Sequence, residues 1–153
     1  MSVRVQSPEQ LNWQPLLDNG RIIRAVTSFV ENTYRPGRSL QLQVIANPAR
    51  RAHSTHRRIS LENPMEVRAW LDRRLASHGL AVDPGRIQVG PPRWIIGVKK
   101  SGERFEIVTR TLQARATVRD AALVHELLRT GLGQGKAYGC GLVLTDHNRL
   151  KEQ

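Results

Sequence analysis

Apolar and polar side chains alternate regularly from residue 39 onward, and the alternation predicts first a strand and then a helix. Every second residue from Leu40 to Ala46 is apolar, as in a half-buried strand, and the strand is expected to end at Asn47-Pro48. Asn63 and Pro64 then suit the N-cap and the first turn of a helix.

The predicted helix carries an apolar stripe and is expected to end at His78-Gly79. Its apolar residues at helical spacing are Val67, Trp70, Leu71 and Leu75. Because Trp70 follows this spacing, we expect its ring in the core rather than on the surface as a platform for stacked bases.

Two strands, a second helix and a last strand complete the pattern. The two strands are predicted over residues 86–98 and 103–116, joined by a hairpin turn at residues 99–102. Asp120 suits the N-cap of a helix that ends at Gly131, and residues 140–144 form the last predicted strand. The apolar residues of this second helix are Leu123, Val124, Leu127 and Leu128.

The order strand, helix, strand, strand, helix, strand predicts an α+β fold of the ferredoxin-like type, which is also the RRM topology. We expect this domain to cover residues 39–146, with residues 147–153 as a polar tail. Residues 1–38 contain only short apolar segments that would not bury a core alone. They are expected to be the remnant of a first ferredoxin-like unit.

The charge of the chain indicates a polyanionic partner. Lys and Arg number 24 against 13 Asp and Glu among 153 residues, a net charge of +11 and a pI near 11.3. Such an excess favours RNA, because each cation placed against a phosphate releases condensed counterions. A ribosome-associated or merely basic protein is the alternative that composition leaves open.

Several classes of protein are disfavoured by the composition. No apolar run approaches the length of a membrane span, so no membrane partner is expected. The single Cys140 excludes an internal disulfide and a cysteine-based zinc site, and a reducing, cytoplasmic setting is the simplest expectation. No cofactor or metal is predicted.

A basic loop follows the first strand and is the first candidate for RNA contact. It contains four arginines, two histidines and no acidic residue: Arg50, Arg51, His53, His56, Arg57 and Arg58. Closely spaced arginines repel one another unless an anion lies between them, which favours phosphate contact over a solvated, flexible loop. An H-x-x-H zinc site is disfavoured because no cysteine or carboxylate cluster completes it.

A glycine-rich segment after the second helix is the other candidate. Five glycines occupy the eleven positions from 131 to 141, and they allow the backbone to approach a ligand closely. The segment runs from a helix into a strand, so it is neither a phosphate-binding P-loop nor a Rossmann fingerprint. Phosphate would have to be held by backbone amides around Gly131, Gly133 and Gly135 together with Lys136. A tight helix-to-strand connection explains the glycines equally well.

The glycine-rich segment resembles the terminal signature of the CasE-type CRISPR endoribonucleases, G-[IL]-G-x-x-K-[AS]-[FYM]-G-[CF]-G-L. The matching residues are Gly131, Leu132, Gly133, Lys136, Ala137, Tyr138, Gly139, Cys140, Gly141 and Leu142. Residues 42–48 are similar to the family's R-L-R-A-N-P strand end, and residues 66–71 to its Q-x-x-W-L helix. Residues 5–7 resemble a V-Q-S element of the family's first domain.

The resemblance implies two ferredoxin-like domains and a metal-independent endoribonuclease. In that chemistry the 2′-OH of the repeat RNA attacks the adjacent phosphate and leaves a 2′,3′-cyclic phosphate. The resemblance also implies that the basic loop is a hairpin entering the RNA stem, and that a Cascade backbone subunit is a partner. The family's catalytic histidine lies in an early region that precedes the match. No catalytic residue is therefore carried over to this chain.

Three functions agree with these observations. The first is a subunit of a type I-E Cascade complex that binds the stem-loop of CRISPR repeat RNA, with cleavage in doubt. The second is one part of a split endoribonuclease whose histidine comes from a separate N-terminal polypeptide. The third is a basic assembly protein of a ribonucleoprotein with no catalytic role.

Overall fold

A computed structural model describes residues 34–51 and 58–146, together with Gln14 and Asp18. In chain order, its elements are β1 (Ser39–Ala46), β2 (Ala49–Arg51), β3 (Arg58–Ser60), α1 (Pro64–Ala76), β4 (Leu80–Val82), a 3₁₀ turn (Pro84–Arg86), β5 (Gln88–Val98), β6 (Arg104–Val118), α2 (Ala121–Thr130), a second 3₁₀ turn (Lys136–Tyr138) and β7 (Val143–Thr145). The mixed α+β class predicted from the sequence is confirmed. The proposed N-terminal remnant (apart from residues 34–38, Gln14 and Asp18), residues 52–57 and the polar tail lie outside the described residues.

Five of these strands form one antiparallel sheet. The strand order is β4-β6-β1-β7, and β5 pairs with another stretch of β6. Strand β1 is central, because it pairs with β6 along its whole length, from Ser39 opposite Thr117 to Ala46 opposite Arg110. Its other edge pairs with β7. Strands β2 and β3 form a separate two-stranded ladder.

The core lies between the helices and one face of this sheet. The alternate residues Leu40, Leu42, Val44 and Ala46 of β1 are all buried, as the pattern predicted. They pack with the apolar stripe of α1, in which Trp70 is 6% exposed, so its predicted place in the core is confirmed. On the opposite face of β1, Gln41 and Ile45 are exposed among the described residues.

Both predicted N-caps are confirmed. The side chain of Asn63 accepts a hydrogen bond from the amide of Met65 at 2.8 Å. The Asp120 carboxylate accepts from the amides of Ala122 at 2.9 Å and Leu123 at 3.2 Å. These bonds satisfy amides that have no partner within the first turn of a helix, and so they fix where each helix begins.

Several elements differ from the prediction. Strand β4 was not predicted, and β5 begins at Gln88 rather than Arg86 because a 3₁₀ turn precedes it. The last strand begins at Val143 rather than Cys140. Gly141 lies just before this strand, has a φ of 89° and donates its amide to the carbonyl of Ile45 at 2.7 Å. Because a φ of this sign is not that of a strand, the regular strand begins only after Gly141.

The apolar stripe of α2 is narrower than predicted. Val124, Leu127 and Leu128 are buried, whereas Leu123 is 42% exposed. Leu123 lies beside the turn at Gly79, where its Cβ is 3.1 Å from the position of a Cβ built on that glycine. Its side chain therefore covers the edge of the core instead of entering it.

No helix in the described ranges is long and apolar enough to cross a lipid bilayer.

Candidate nucleic-acid interface

The basic loop leaves the sheet on a two-stranded hairpin ladder. Strands β2 and β3 are antiparallel, with Arg51 opposite Arg58 and Arg50 opposite Ile59. The base of the ladder is closed by a hydrogen bond from the amide of Leu61 to the carbonyl of Pro48 at 2.9 Å. Arg50, Arg51 and Arg58 are all exposed, so the structure brings these three predicted residues together on one hairpin.

Arg51 and Arg58 are like charges in directly opposed positions of an antiparallel pair, an arrangement that is destabilising by itself. In the described part of the chain, the ion pairs are Lys99–Glu103 and Glu126–Arg129, and neither involves a hairpin arginine. An anion placed between the two guanidinium groups would remove the repulsion. His53, His56 and Arg57 lie outside the described residues, so their role stays a prediction.

A buried arginine, Arg110, holds the root of this hairpin, and it is not among the site residues predicted from the sequence. Arg110 is 7% exposed and donates from Nη1 to the carbonyl of Gly90 at 3.0 Å. Its Nη2 donates to the carbonyl of Glu62, just after β3, at 2.8 Å, while its Nε is buried without a partner. The signal in the sequence was a cation in phase with the apolar alternate residues Leu112, Ala114, Ala116 and Val118 of β6.

The glycine-rich segment forms a tight connection from α2 to β7. Gly131, Gly133 and Gly135 have φ values of 75°, 74° and 76°, in the region that favours glycine. A Cβ on Gly131 would lie 2.8 Å from the carbonyl oxygen of Gly141, and one on Gly133 would lie 3.3 Å from the ring of Trp70. Internal packing therefore accounts for Gly131 and Gly133 without a ligand.

The middle of the same segment is free to accept an anion. In the described ranges, the amides of residues 133–137 donate to no protein acceptor, and Lys136 is exposed. Successive backbone amides beside an ammonium group are the donors that a phosphate requires. The bond from Gly141 to Ile45 fixes this segment at the end of β1 from which the β2–β3 hairpin departs. Both predicted regions thus lie at one end of the sheet.

The tip of the β5–β6 hairpin contacts the glycine-rich segment on one face and exposes apolar side chains of β5 on the other. The rings of Phe105 and Tyr138 pack with their centroids 4.7 Å apart. On the opposite face, Trp94, Ile96 and Val98 are 58%, 62% and 63% exposed. The turn between the strands has the predicted form, since the amide of Gly102 donates to the carbonyl of Lys99.

The end of α1 carries a further group of cations. The Arg74 guanidinium carbon lies 5.9 Å from the centroid of the Trp70 ring. Burial lowers the pKa of His78, and the positive charges of Arg74 and Lys136 lower it further. The ammonium of Lys136 is therefore close enough to act on α1. His78 is a helix-end residue, as predicted.

The described residues supply neither a metal site nor an activated thiol. Between residues 34–51 and 58–146, no three His, Cys, Asp or Glu side chains are grouped to hold a metal ion. Burial raises the pKa of the Cys140 thiol and so favours its protonated form. The chemistry available in these ranges is anion binding by guanidinium, ammonium and backbone amide groups.

Comparison with known proteins places this chain in a family. A family model described as "CRISPR associated protein" matches residues 1–145. The CRISPR-associated endoribonuclease Cse3 of Thermus thermophilus is 31% identical over 150 residues, which cover 92% of this chain and 71% of Cse3. The Cascade subunit CasE of Escherichia coli is 33% identical over 86 residues, covering 56% of this chain and 41% of CasE.

A solved structure of Cse3 bound to a 19-nucleotide RNA superposes with a TM-score of 0.68 and 31% identity. The match covers 74% of this chain and 57% of that one, so this chain spans less than two thirds of the solved protein. The resemblance found in the glycine signature is confirmed by sequence matches that extend far beyond it. This chain belongs to the CasE family of CRISPR-associated proteins.

Proposed function

We propose that this chain binds the stem-loop of CRISPR repeat RNA as a subunit of a Cascade complex in the cytoplasm. The observation that carries the proposal is the cross-strand pair of Arg51 and Arg58 on the β2–β3 hairpin, exposed and without a described carboxylate. Two opposed cations of this kind are stabilised when a phosphate lies between them.

In the proposed complex, the hairpin enters a groove of the RNA stem. An A-form helix is recognised mainly by its shape, its phosphates and its 2′-OH groups, and guanidinium groups on a rigid ladder suit that recognition. The amides of residues 133–137 and the ammonium of Lys136 would hold a further phosphate at the same end of β1. His53, His56 and Arg57 would extend the contact beyond the ladder.

The relatives support this choice of ligand and partner. Cse3 has been solved with RNA bound, and the CasE protein of Escherichia coli is a Cascade subunit. The stem-loop itself and a Cascade backbone subunit as the contacting partner are parts of our proposal. The low aromatic content of 5% favours recognition of a folded stem over stacking of single-stranded bases.

We further propose that the described part of the chain supplies binding and charge stabilisation but not proton transfer. Backbone amides and Lys136 would stabilise the charge that develops on the attacked phosphate. The described histidines are His78, in the turn that follows α1, and His125, on α2 beside the ring of Tyr34. A general acid or base for cleavage would come from elsewhere, and a separate N-terminal polypeptide is one possible source.

The strand order supports a finer assignment of the fold. Strands β4 and β5 pair with different stretches of β6, so we count them as a single strand position beside β6. The strand order is then β7-β1-β6-β5. Together with the helices α1 and α2, this order supports a ferredoxin-like βαββαβ domain. We propose that this domain covers residues 39–146 and that residues 1–38 belong to a preceding unit of the same type.

The test is a titration of the purified chain with a labelled repeat hairpin in the presence of EDTA, in which binding and cleavage are both recorded. The variant Arg50→Gln/Arg51→Gln/Arg58→Gln removes three cations from the hairpin. Each phosphate contact that is lost is expected to reduce the slope of log affinity against log salt by about one. The matched control is Arg119→Gln, an exposed arginine just after the far end of β6.

Hairpin-selective binding by the native chain, lost in the triple variant and kept in Arg119→Gln, would support the proposal. Equal affinity for a scrambled RNA would contradict it and favour a basic assembly protein. Cleavage to a 2′,3′-cyclic phosphate by the native chain alone would show that a residue of this chain transfers the proton. That result would overturn the separation of binding from proton transfer.

A further inference from the structure

The buried Arg110 occupies a position where the strand pattern calls for an apolar side chain. The alternate residues Leu112, Ala114, Ala116 and Val118 of β6 face the helices and are all buried. Arg110 continues the same face and is 7% exposed. A buried guanidinium loses its hydration, and the described ion pairs give Arg110 no carboxylate as compensation. Its retention at this position therefore requires a specific set of acceptors.

Those acceptors are two carbonyl groups in irregular backbone. Gly90 lies where the register between β5 and β6 shifts, between Val89 and Pro92. Glu62 lies between β3 and the N-cap of α1. Gly90 has no register partner in β6 and Glu62 precedes the helix, so the guanidinium supplies donors to carbonyls that the regular elements leave unpaired. A planar guanidinium has donors spaced to reach both at once, which a lysine ammonium does not.

The two hydrogen bonds join the root of the β2–β3 hairpin to the main sheet. The chain leaves β3, closes the hairpin with the bond from Leu61 to Pro48, and passes directly to Glu62. Arg110 holds Glu62 at 2.8 Å and Gly90 at 3.0 Å, so the exit of the hairpin is attached to both β6 and β5. These bonds constrain the chain at the point where it leaves the hairpin.

We propose that Arg110 is a positioning residue for RNA recognition: it sets the direction of the basic hairpin without touching RNA. This inference rests on the proposed function of that hairpin. Because a rigid ladder must bring several cations to phosphates at once, release of its root reduces the number of simultaneous contacts. The effect on binding is therefore larger than the loss of a buried side chain elsewhere in the core would produce.

The test compares Arg110→Met, Arg110→Lys and Leu112→Ala at a temperature at which circular dichroism shows all of them to be folded. Leu112 is the matched control, since it is fully buried on the same face of the same strand. Arg110→Met is expected to weaken binding of the repeat hairpin by about tenfold and to lower the salt slope by about one. Arg110→Lys keeps the charge and reaches one carbonyl. Its affinity for the repeat hairpin is therefore expected to lie between those of Arg110→Met and the native chain. It also serves as the test variant if Arg110→Met does not fold.

A second readout does not depend on RNA. Hydrogen exchange at the Leu61 amide is expected to accelerate in Arg110→Met, while exchange at Val118, bonded to the carbonyl of Arg38 at the far end of β6, stays unchanged. Unchanged exchange at Leu61, or an unchanged salt slope in Arg110→Met, would overturn the inference. A similar loss of slope in Leu112→Ala would also overturn it. If the native chain binds no RNA, the proposed function fails, and the exchange experiment still shows whether Arg110 fixes the hairpin root.

Discussion

Leu132 and Gly141 are in direct backbone contact. The amide of Leu132 donates to the carbonyl of Gly141 at 2.8 Å, and a Cβ built on Gly141 would lie 2.6 Å from the carbonyl oxygen of Leu132. The glycine-rich segment is thus closed on itself between Leu132 and Gly141, and the amides of residues 133–137, which donate to no described backbone acceptor, lie in the loop between these two residues.

This contact predicts that Gly141→Ala destabilises the protein more than Gly139→Ala. Both glycines have positive φ, 89° and 79°, so each substitution costs about 1 kcal/mol in backbone strain. Only Gly141 also meets backbone atoms, whereas nothing lies within 4 Å of a Cβ on Gly139. Urea unfolding of both variants measures the difference. Equal losses would show that the segment opens without cost and that the Leu132–Gly141 contact is not maintained in solution.

A second prediction concerns the titration of His78. Burial and the charges of Arg74 and Lys136 lower its pKa, so Lys136→Met is expected to raise that pKa toward the ordinary value near 6.5. A phosphate bound at Lys136 should raise it as well, because the anion offsets the ammonium charge. Histidine ring signals followed by NMR across pH 5 to 8 measure both shifts.

The lowered pKa of His78 also determines how its contribution to the unfolding free energy changes with pH. The folded state favours neutral His78, so this contribution to stability is complete above the unfolded pKa of about 6.5 and is lost as pH falls below it. In Lys136→Met that loss should become smaller. A His78 pKa that does not respond to Lys136→Met would mean that the ammonium does not lie near α1.

Tyr34 provides a third prediction at alkaline pH. Its hydroxyl forms a buried hydrogen bond of 2.8 Å with the Thr145 hydroxyl, and burial is the largest cause of its raised pKa. Since the folded state holds the phenol proton more tightly than the unfolded chain, this contribution to stability is present below pH 10 and is lost as pH rises above it.

Tyr34→Phe should therefore cost about 0.5–1.5 kcal/mol at neutral pH, the usual net value of one hydrogen bond. It should also make the unfolding free energy less dependent on pH above 10. Urea unfolding at pH 7 and at several values above 10 tests both statements. If the unfolding free energy of Tyr34→Phe falls with pH above 10 as steeply as that of the native chain, a group other than Tyr34 causes the alkaline loss of stability.

The fourth prediction separates stability from function at the hairpin. Arg51→Glu places a carboxylate opposite Arg58, so repulsion is replaced by attraction, and the ladder should gain about 0.2–1 kcal/mol. The same substitution should weaken RNA binding, because it adds a negative charge where a phosphate is proposed to lie. Urea unfolding and RNA titration of the same sample check the two directions. A variant that is both less stable and an unchanged binder would contradict the proposed role of the pair.

Local patterns predicted those parts of the fold that local chemistry decides. The alternation in β1, the caps at Asn63 and Asp120 and the helix end at Gly131 follow from residues within a few positions of one another. The resemblance to CasE proteins came from the glycine signature in the same local way. Among the predicted RNA-binding residues, the exposed hairpin arginines and Lys136 lie at one end of β1.

The role of Arg110 was not predictable in this way. Whether an arginine on β6 is buried depends on the register with β1, which places it opposite Ala46 on the helix-facing side. Whether it finds acceptors depends on the register shift at Gly90 and on the path of the chain at Glu62. These are relations between segments that are distant in sequence, and no local pattern determines them. The exposure of Leu123 has the same origin, since the turn at Gly79 decides it.

The exposed apolar side chains of β5 have a practical consequence for handling the protein. Among the described strands, β5 pairs with β6 alone, and Trp94, Ile96 and Val98 lie exposed on it. An apolar edge strand of this kind invites association between copies. At low ionic strength, mutual repulsion between chains of net charge +11 opposes that association. High salt, which strips co-purified nucleic acid, also screens this repulsion. We therefore expect preparations freed of RNA by salt to aggregate, and a soluble Trp94→Gln variant would trace the aggregation to this strand.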